Sequence, residues 1–178
     1  MVRAIRFAAL ALCLAAPAVV AAQSASHAGY KLPHDTVKGN LIKSAEAVPE
    51  ADYAFKPTPE VRSFGQLFGH VANANFMICA MAAGEKSPAT SNAEKLTAKA
   101  DIQKALADSF AYCDKVWEQA GAADKAAWAA EPVELFGMKL TRASALTFNA
   151  AHDWEHYGNI VTYMRLKGMV PPSSQGGN

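Results

Sequence analysis

Cysteine is scarce in this chain: three residues in 178, one of them, Cys13, inside an N-terminal apolar run. A small scaffold held together by many disulfides is therefore excluded. Basic residues form no stripe and no run interleaved with aromatics, so the sequence offers nothing for a phosphate backbone to select, and nucleic acid is not an expected partner. Strict alternation of apolar and polar residues is missing, which argues against a sheet. No segment repeats at a fixed period. Acidic residues stop at Glu155, and none of the residues after it is Asp or Glu.

Long apolar runs are confined to the N-terminus. Arg3 and Arg6 precede the stretch from Phe7 to Ala22, and Val20-Ala21-Ala22 supplies small residues of the kind a signal peptidase accepts. Residues 1–22 thus read as a cleavable signal peptide, with Ala18 as a second cleavage position. The run is short for a bilayer span of about 20 apolar residues, and Pro17 interrupts it, so no stable membrane anchor is expected after cleavage. Cys13 does not make a lipoprotein signal, because bulky Leu12 precedes it and the apolar run continues past it. The expected location is periplasmic or secreted. Losing Arg3 and Arg6 leaves 15 of the 17 basic residues against 16 acidic ones, a net charge of −1.

What remains is ample for one domain. Residues 23–34 are small and polar and read as a flexible leader, which leaves His27 and His34 solvated. From Asp35, Val37, Leu41, Ile42, Ala45 and Val48 recur at helical spacing until Pro49. Thr58-Pro59-Glu60 reads as the start of a second helix that runs to about Ala83, with Val61, Phe64, Leu67, Phe68, Val71, Phe76, Ile78 and Met81 on its apolar side. After a polar loop, Thr97 can cap a third helix carrying Ile102, Leu106, Cys113, Val116 and Trp117. Ala122 to Ala130 reads as a short helical turn, and Pro132 to Lys139 as an irregular or hairpin-like connection around Gly137. The last helix spans Thr141 to about Lys167, stopped by Gly168 and Pro171-Pro172. The fold class is all-α: a four-helix bundle over residues 35–172, followed by a disordered tail, 173–178. The connections are longer than simple hairpins require, so up-down-up-down topology does not follow.

Within this pattern His70 borders the apolar stripe of the second helix. Alone, an interior histidine is more often a buried, hydrogen-bonded imidazole than a ligand. His152 and His156 change the weighing, because a spacing of four puts both rings on one helix face, about 5–6 Å apart at Cβ. Two inward imidazoles are costly to bury unpaired, and a divalent cation satisfies both through neutral nitrogens. With His70 from another helix they complete a three-histidine set, which leaves a coordination position for water or substrate. Zinc suits such ligands first, and nickel or iron also fit. Glu155 is the candidate catalytic carboxylate, orienting an imidazole or moving a proton, against the plain alternative of a helix-surface charge. His152-Asp153-Trp154-Glu155-His156 also fits the His-x-x-Glu-His signature of inverted zinc peptidases, but that chemistry needs a downstream acidic ligand, which is missing. Whether Cys79 and Cys113 pair or remain buried thiols is open at this level.

Phe55-Lys56-Pro57-Thr58-Pro59 leading to His70, Phe110-Ala111-Tyr112-Cys113-Asp114, and above all His152-Asp153-Trp154-Glu155-His156-Tyr157-Gly158-Asn159 resemble the DinB/YfiT-like family of metalloenzymes. The resemblance covers most of the mature chain, and His70, His152 and His156 occupy the family's metal positions. It implies a four-helix bundle with non-adjacent connectivity, often a homodimer, holding zinc or nickel at one end. Some members are thiol S-transferases using bacillithiol or mycothiol, and some are thiol-dependent isomerases. Those thiols are cytosolic, so an exported member would need another nucleophile. Water is the simplest, which would make the protein a hydrolase on an unidentified small molecule. The competing expectation is a non-enzymatic metal-binding or stress-response protein. If the leader is removed as read, mass spectrometry of the exported chain should give a mature N-terminus at Gln23.

Overall fold

The computed structural model describes residues 31–122 and 126–176. The expected signal peptide, most of the leader and His27 lie outside them. Four long helices make up the body: α1 (residues 31–47), α2 (Phe64–Ala83), α3 (Lys99–Gly121) and α5 (Arg142–Leu166), with a short α4 (Ala126–Ala130) and a hairpin of β1 (Pro132–Leu135) and β2 (Met138–Thr141) between α3 and α5. The hairpin is antiparallel, from Pro132 opposite Thr141 to Leu135 opposite Met138. Its two loop residues, Phe136 and Gly137, both have positive φ, 51° and 76°, as a tight turn matched to strand twist requires. No helix among the described residues is long and apolar enough to cross a membrane.

Cross-helix bonds fix the directions. The Asn75 amide meets Ser109, and Cys79 is bonded to Cys113, so α2 and α3 run parallel. His70 faces His152, and Arg142 donates to the Ala82 carbonyl at 2.8 Å, so α5 is antiparallel to α2. Lys38 reaches Asp114 while Gln103 reaches the Ala45 carbonyl, so α1 is antiparallel to α3. The order is up, down, down, up. Two consecutive parallel helices oblige residues 84–98 to travel back along the bundle, which explains the long polar loop after α2.

Two buried clusters fill the interior. One gathers Val37, Leu41, Phe64, Phe68, Val71, Ile102, Leu106, Phe110 and Ile160. The other gathers Ile78, Val116, Trp117, Leu135 and Leu146 around the disulfide. Buried polar residues Asn75, Ser109, Asn149 and Asp153 form a layer of their own on α2, α3 and α5.

The structure departs from the sequence reading at four element ends, the first being α3, which begins at Lys99 after Ala98 with no side-chain cap from Thr97. Helix is already formed at residue 31, and His34 is fully buried rather than solvated, with its ring 5.4 Å from Trp117 and 5.9 Å from Phe110 and its Nε2 2.9 Å from Asp114. That contact spans 80 residues, so helical spacing gives no sign of it. α2 begins at Phe64, not near Thr58. Ser63 and Gln66 form a reciprocal capping box, and the turn before it folds back so that Phe55 and Tyr53 carbonyls accept from Phe64 and Gly65 N–H. In the tail, Pro172–Ser174 form a 3₁₀ turn, and the Ser173 N–H donates to the Tyr157 hydroxyl at 3.0 Å. Cys79 and Cys113, left open by the sequence, are joined, with Cα atoms 5.4 Å apart and a sequence separation of 34. A crosslink of this loop length contributes about 3–4 kcal/mol by restricting the unfolded chain. The double variant Cys79→Ser, Cys113→Ser should therefore unfold at a clearly lower denaturant midpoint, with an unchanged helical circular-dichroism spectrum before the transition.

Candidate metal centre

His70 comes from the middle of α2, and His152 and His156 from successive turns of α5. Because α2 and α5 are antiparallel neighbours, the three rings meet on one side of the bundle. The Nε2 atoms of His70 and His152 are 3.2 Å apart, and those of His152 and His156 are 3.1 Å apart. One nitrogen atom from each ring lies within 4.8 Å of the others, as a shared ion requires. A tetrahedral zinc with Zn–N bonds of about 2.0–2.1 Å keeps its nitrogen ligands roughly 3.3–3.4 Å apart, so the donor set fits a small divalent cation.

Electrostatics favours ligand-ready imidazoles. Burial, the neighbouring histidines and the Arg62 guanidinium push His156 down to about 4. Burial and Arg62 also lower His70, although Glu94 opposes them. Both rings are therefore neutral at neutral pH and offer lone pairs without first losing a proton. His70 and His152 side chains keep 25% and 18% of their surface exposed, enough to leave the site reachable.

His156 opens onto a cleft of about 640 Å³ lined by Lys56, Arg62, Gln66, Glu94, Glu155 and Tyr163 among others. Glu155 is exposed on its wall and makes no hydrogen bond to the three imidazoles among the described residues. The carboxylate that does touch the cluster is one that sequence reasoning missed: Glu94 Oε1 lies 2.6 Å from His70 Nδ1. Its position 24 residues along the chain, in a loop without periodicity, gave no signal.

Asp153 was also missed as a buried group. It is inaccessible to solvent, and Asn75, with its amide nitrogen turned toward the carboxylate, donates to both oxygens at 3.1 and 3.2 Å. Its nearest oxygen is 3.8 Å from His152 Nδ1, beyond hydrogen-bond range. Burial pushes Asp153 up to about 6.

The fold and donor set define a helical bundle with a three-histidine cluster that could hold a divalent metal ion. The sequence pattern of the DinB superfamily matches residues 34–160, and the chain belongs to that superfamily. It is similar in structure to a DinB-like protein from Bacillus cereus ATCC 10987, with a TM-score of 0.69 at 14% identity, over 84% of this chain and 96% of that one. A DinB-like protein from Bacillus subtilis is similar with a TM-score of 0.57 at 18% identity, over 79% and 93% of the two chains. A comparison with curated proteins finds no match.

The raised Asp153 pKa has a definite sign. Above about pH 6 the folded protein holds a buried charge that the unfolded chain would solvate, and this cost disappears as pH falls through 6 toward 3.8. In metal-free protein, Asp153→Asn should be more stable than the parent at pH 8 by about 2–3 kcal/mol. The difference should vanish near pH 4. Chemical denaturation of both proteins across that range measures it, and the acid-linked loss from His156 is common to both and cancels.

Proposed function

We propose that this chain is an exported member of the DinB superfamily that binds one divalent ion through His70, His152 and His156, zinc first, with nickel or iron as alternatives. On this reading it is a metal-dependent transferase or hydrolase acting on a small molecule. The observation that carries the reading is the convergence of three imidazole nitrogens at the edge of a cleft. Export is supported by the Arg3/Arg6 leader pattern and by a disulfide of the kind that persists in oxidising compartments.

The bound ion would act as a Lewis acid and lower the pKa of a coordinated water, supplying a nucleophile at neutral pH. The protein's own residues set the rest. Helical phase on α5 fixes His152 and His156 as a pair, and antiparallel packing brings His70 opposite them. Three protein ligands leave a position for water or substrate. A cleft of this size lies within the usual range for small-molecule sites, about 300–1,000 Å³. Glu155, on its wall, would exchange a proton with a bound molecule. Lys56 and Arg62 bring cationic groups to the same cleft.

The test is metal content and stability together. Protein purified without a histidine tag should carry about one equivalent of metal, and zinc at a hundredfold excess over its dissociation constant should raise stability by about 2.7 kcal/mol. His156→Ala should lose both effects. Stoichiometric metal with no exchangeable ligand position would instead favour a non-enzymatic metal-binding role, and absence of metal in the parent would overturn the reading.

A further inference from the structure

The connection between α2 and α3 rests on α2 beside the metal centre. At Gly69 a Cβ atom would lie 2.5 Å from the Ala93 carbonyl oxygen and 2.8 Å from the Glu94 nitrogen, so the loop backbone is seated directly on the helix one residue before His70. Two side chains clasp it there. Asn73 accepts from the Ala93 N–H at 2.8 Å and donates to Asn92 Oδ1 at 2.7 Å, and Asn92 Oδ1 in turn accepts from the Glu94 N–H at 3.0 Å. Glu94 therefore projects from a short 3₁₀ turn whose position on α2 is fixed at three points.

From that turn, Glu94 Oε1 meets His70 Nδ1 at 2.6 Å and Arg62 Nε at 2.9 Å. Among the described residues the other two rings have no such support, since Nδ1 of His152 and of His156 are buried without a hydrogen-bond partner there. A carboxylate on Nδ1 accepts its proton and leaves the lone pair on Nε2, the atom that faces the other histidines. Arg62 donates to the same carboxylate oxygen.

We propose that Glu94 is the positioning residue of the centre, fixing His70 as the Nδ1–H tautomer and making it the strongest donor of the three. This rests on the metal-binding reading above. The docked loop then becomes part of the site: the α2–α3 connection, which carries no ligand of its own, sets the affinity of a ligand on α2.

The test uses the full mature chain and zinc, in Glu94→Ala and Glu94→Gln variants. Competition against a chromogenic chelator should show zinc affinity lowered about 10–100-fold in Glu94→Ala. Glu94→Gln should fall between, because its amide oxygen still accepts a hydrogen bond but carries no charge. Long-range nitrogen–proton NMR on the metal-free proteins at mildly alkaline pH reads the tautomer directly. His70 should be Nδ1–H in the parent and in Glu94→Gln, and mixed in Glu94→Ala. Unchanged zinc affinity in the variants, or an Nε2–H tautomer at His70 in the parent, overturns the proposal while leaving metal binding intact. If the parent binds no zinc, the metal reading fails, and the tautomer measurement still decides what Glu94 does to His70. Should Glu94→Ala fail to fold, the near-isosteric Glu94→Gln decides on its own.

Discussion

The contact on which the rest depends is the seating of Ala93 on Gly69. Parallel packing of α2 and α3 requires a connection that runs back along the bundle, and such a connection must find a place to lie without burying unsatisfied backbone groups. Gly69 lets it come within backbone distance of α2, and Asn73 satisfies the Ala93 N–H there. With the loop lying on α2, α3 starts where Lys99 reaches the Glu46 carbonyl near the end of α1 and the Val48 carbonyl just beyond it, at 2.9 and 2.7 Å. The same seating delivers a carboxylate to His70. Topology and site are thus linked through one close approach.

Charge is distributed unevenly around the site. Arg62 and burial hold imidazoles neutral, whereas Glu94 and Asp153 are carboxylates in different roles. Glu94 is half-buried and faces a cation and a ring nitrogen. Asp153 lies against the Asn75 amide in the bundle interior, and its burial is only partly offset by neutral hydrogen bonds. A second group that could in principle attract a cation, His34 with Asp35 and Asp114, is already answered by protein charge: Lys31 bonds Asp35 at 2.6 Å and Lys38 bonds Asp114 at 2.8 Å. It ties α1 to α3. The contrast sharpens what distinguishes the three-histidine cluster, where the ring nitrogens face one another.

The hairpin and α4 show how a bundle absorbs a long crossover from α3 to α5. Leu135 is buried in the disulfide-side cluster, and Arg142, at the first turn of α5, joins Glu131 to the final turn of α2 through the Ala82 carbonyl. A guanidinium at a helix C-terminus also complements the dipole there. The segment that looks least regular in sequence therefore closes one end of the bundle.

Sequence alone determined the elements whose cause is local. Helical spacing placed the long helices, Thr141 marked the start of α5, Gly137 marked the hairpin, and the four-residue interval fixed His152 and His156 on one face. His70 was legible because its helix stripe and the family pattern agreed. Only the tertiary structure decided the rest. The start of α2 depended on a turn that folds back from Tyr53 and Phe55, His34 was buried by rings 76 and 83 positions away, and the cysteines paired because α2 and α3 run parallel. Glu94 joined the site for the same reason. Periodicity reports which side of a helix a residue occupies, whereas these contacts depend on which helices become neighbours and in which direction, and that is settled by packing over the whole chain.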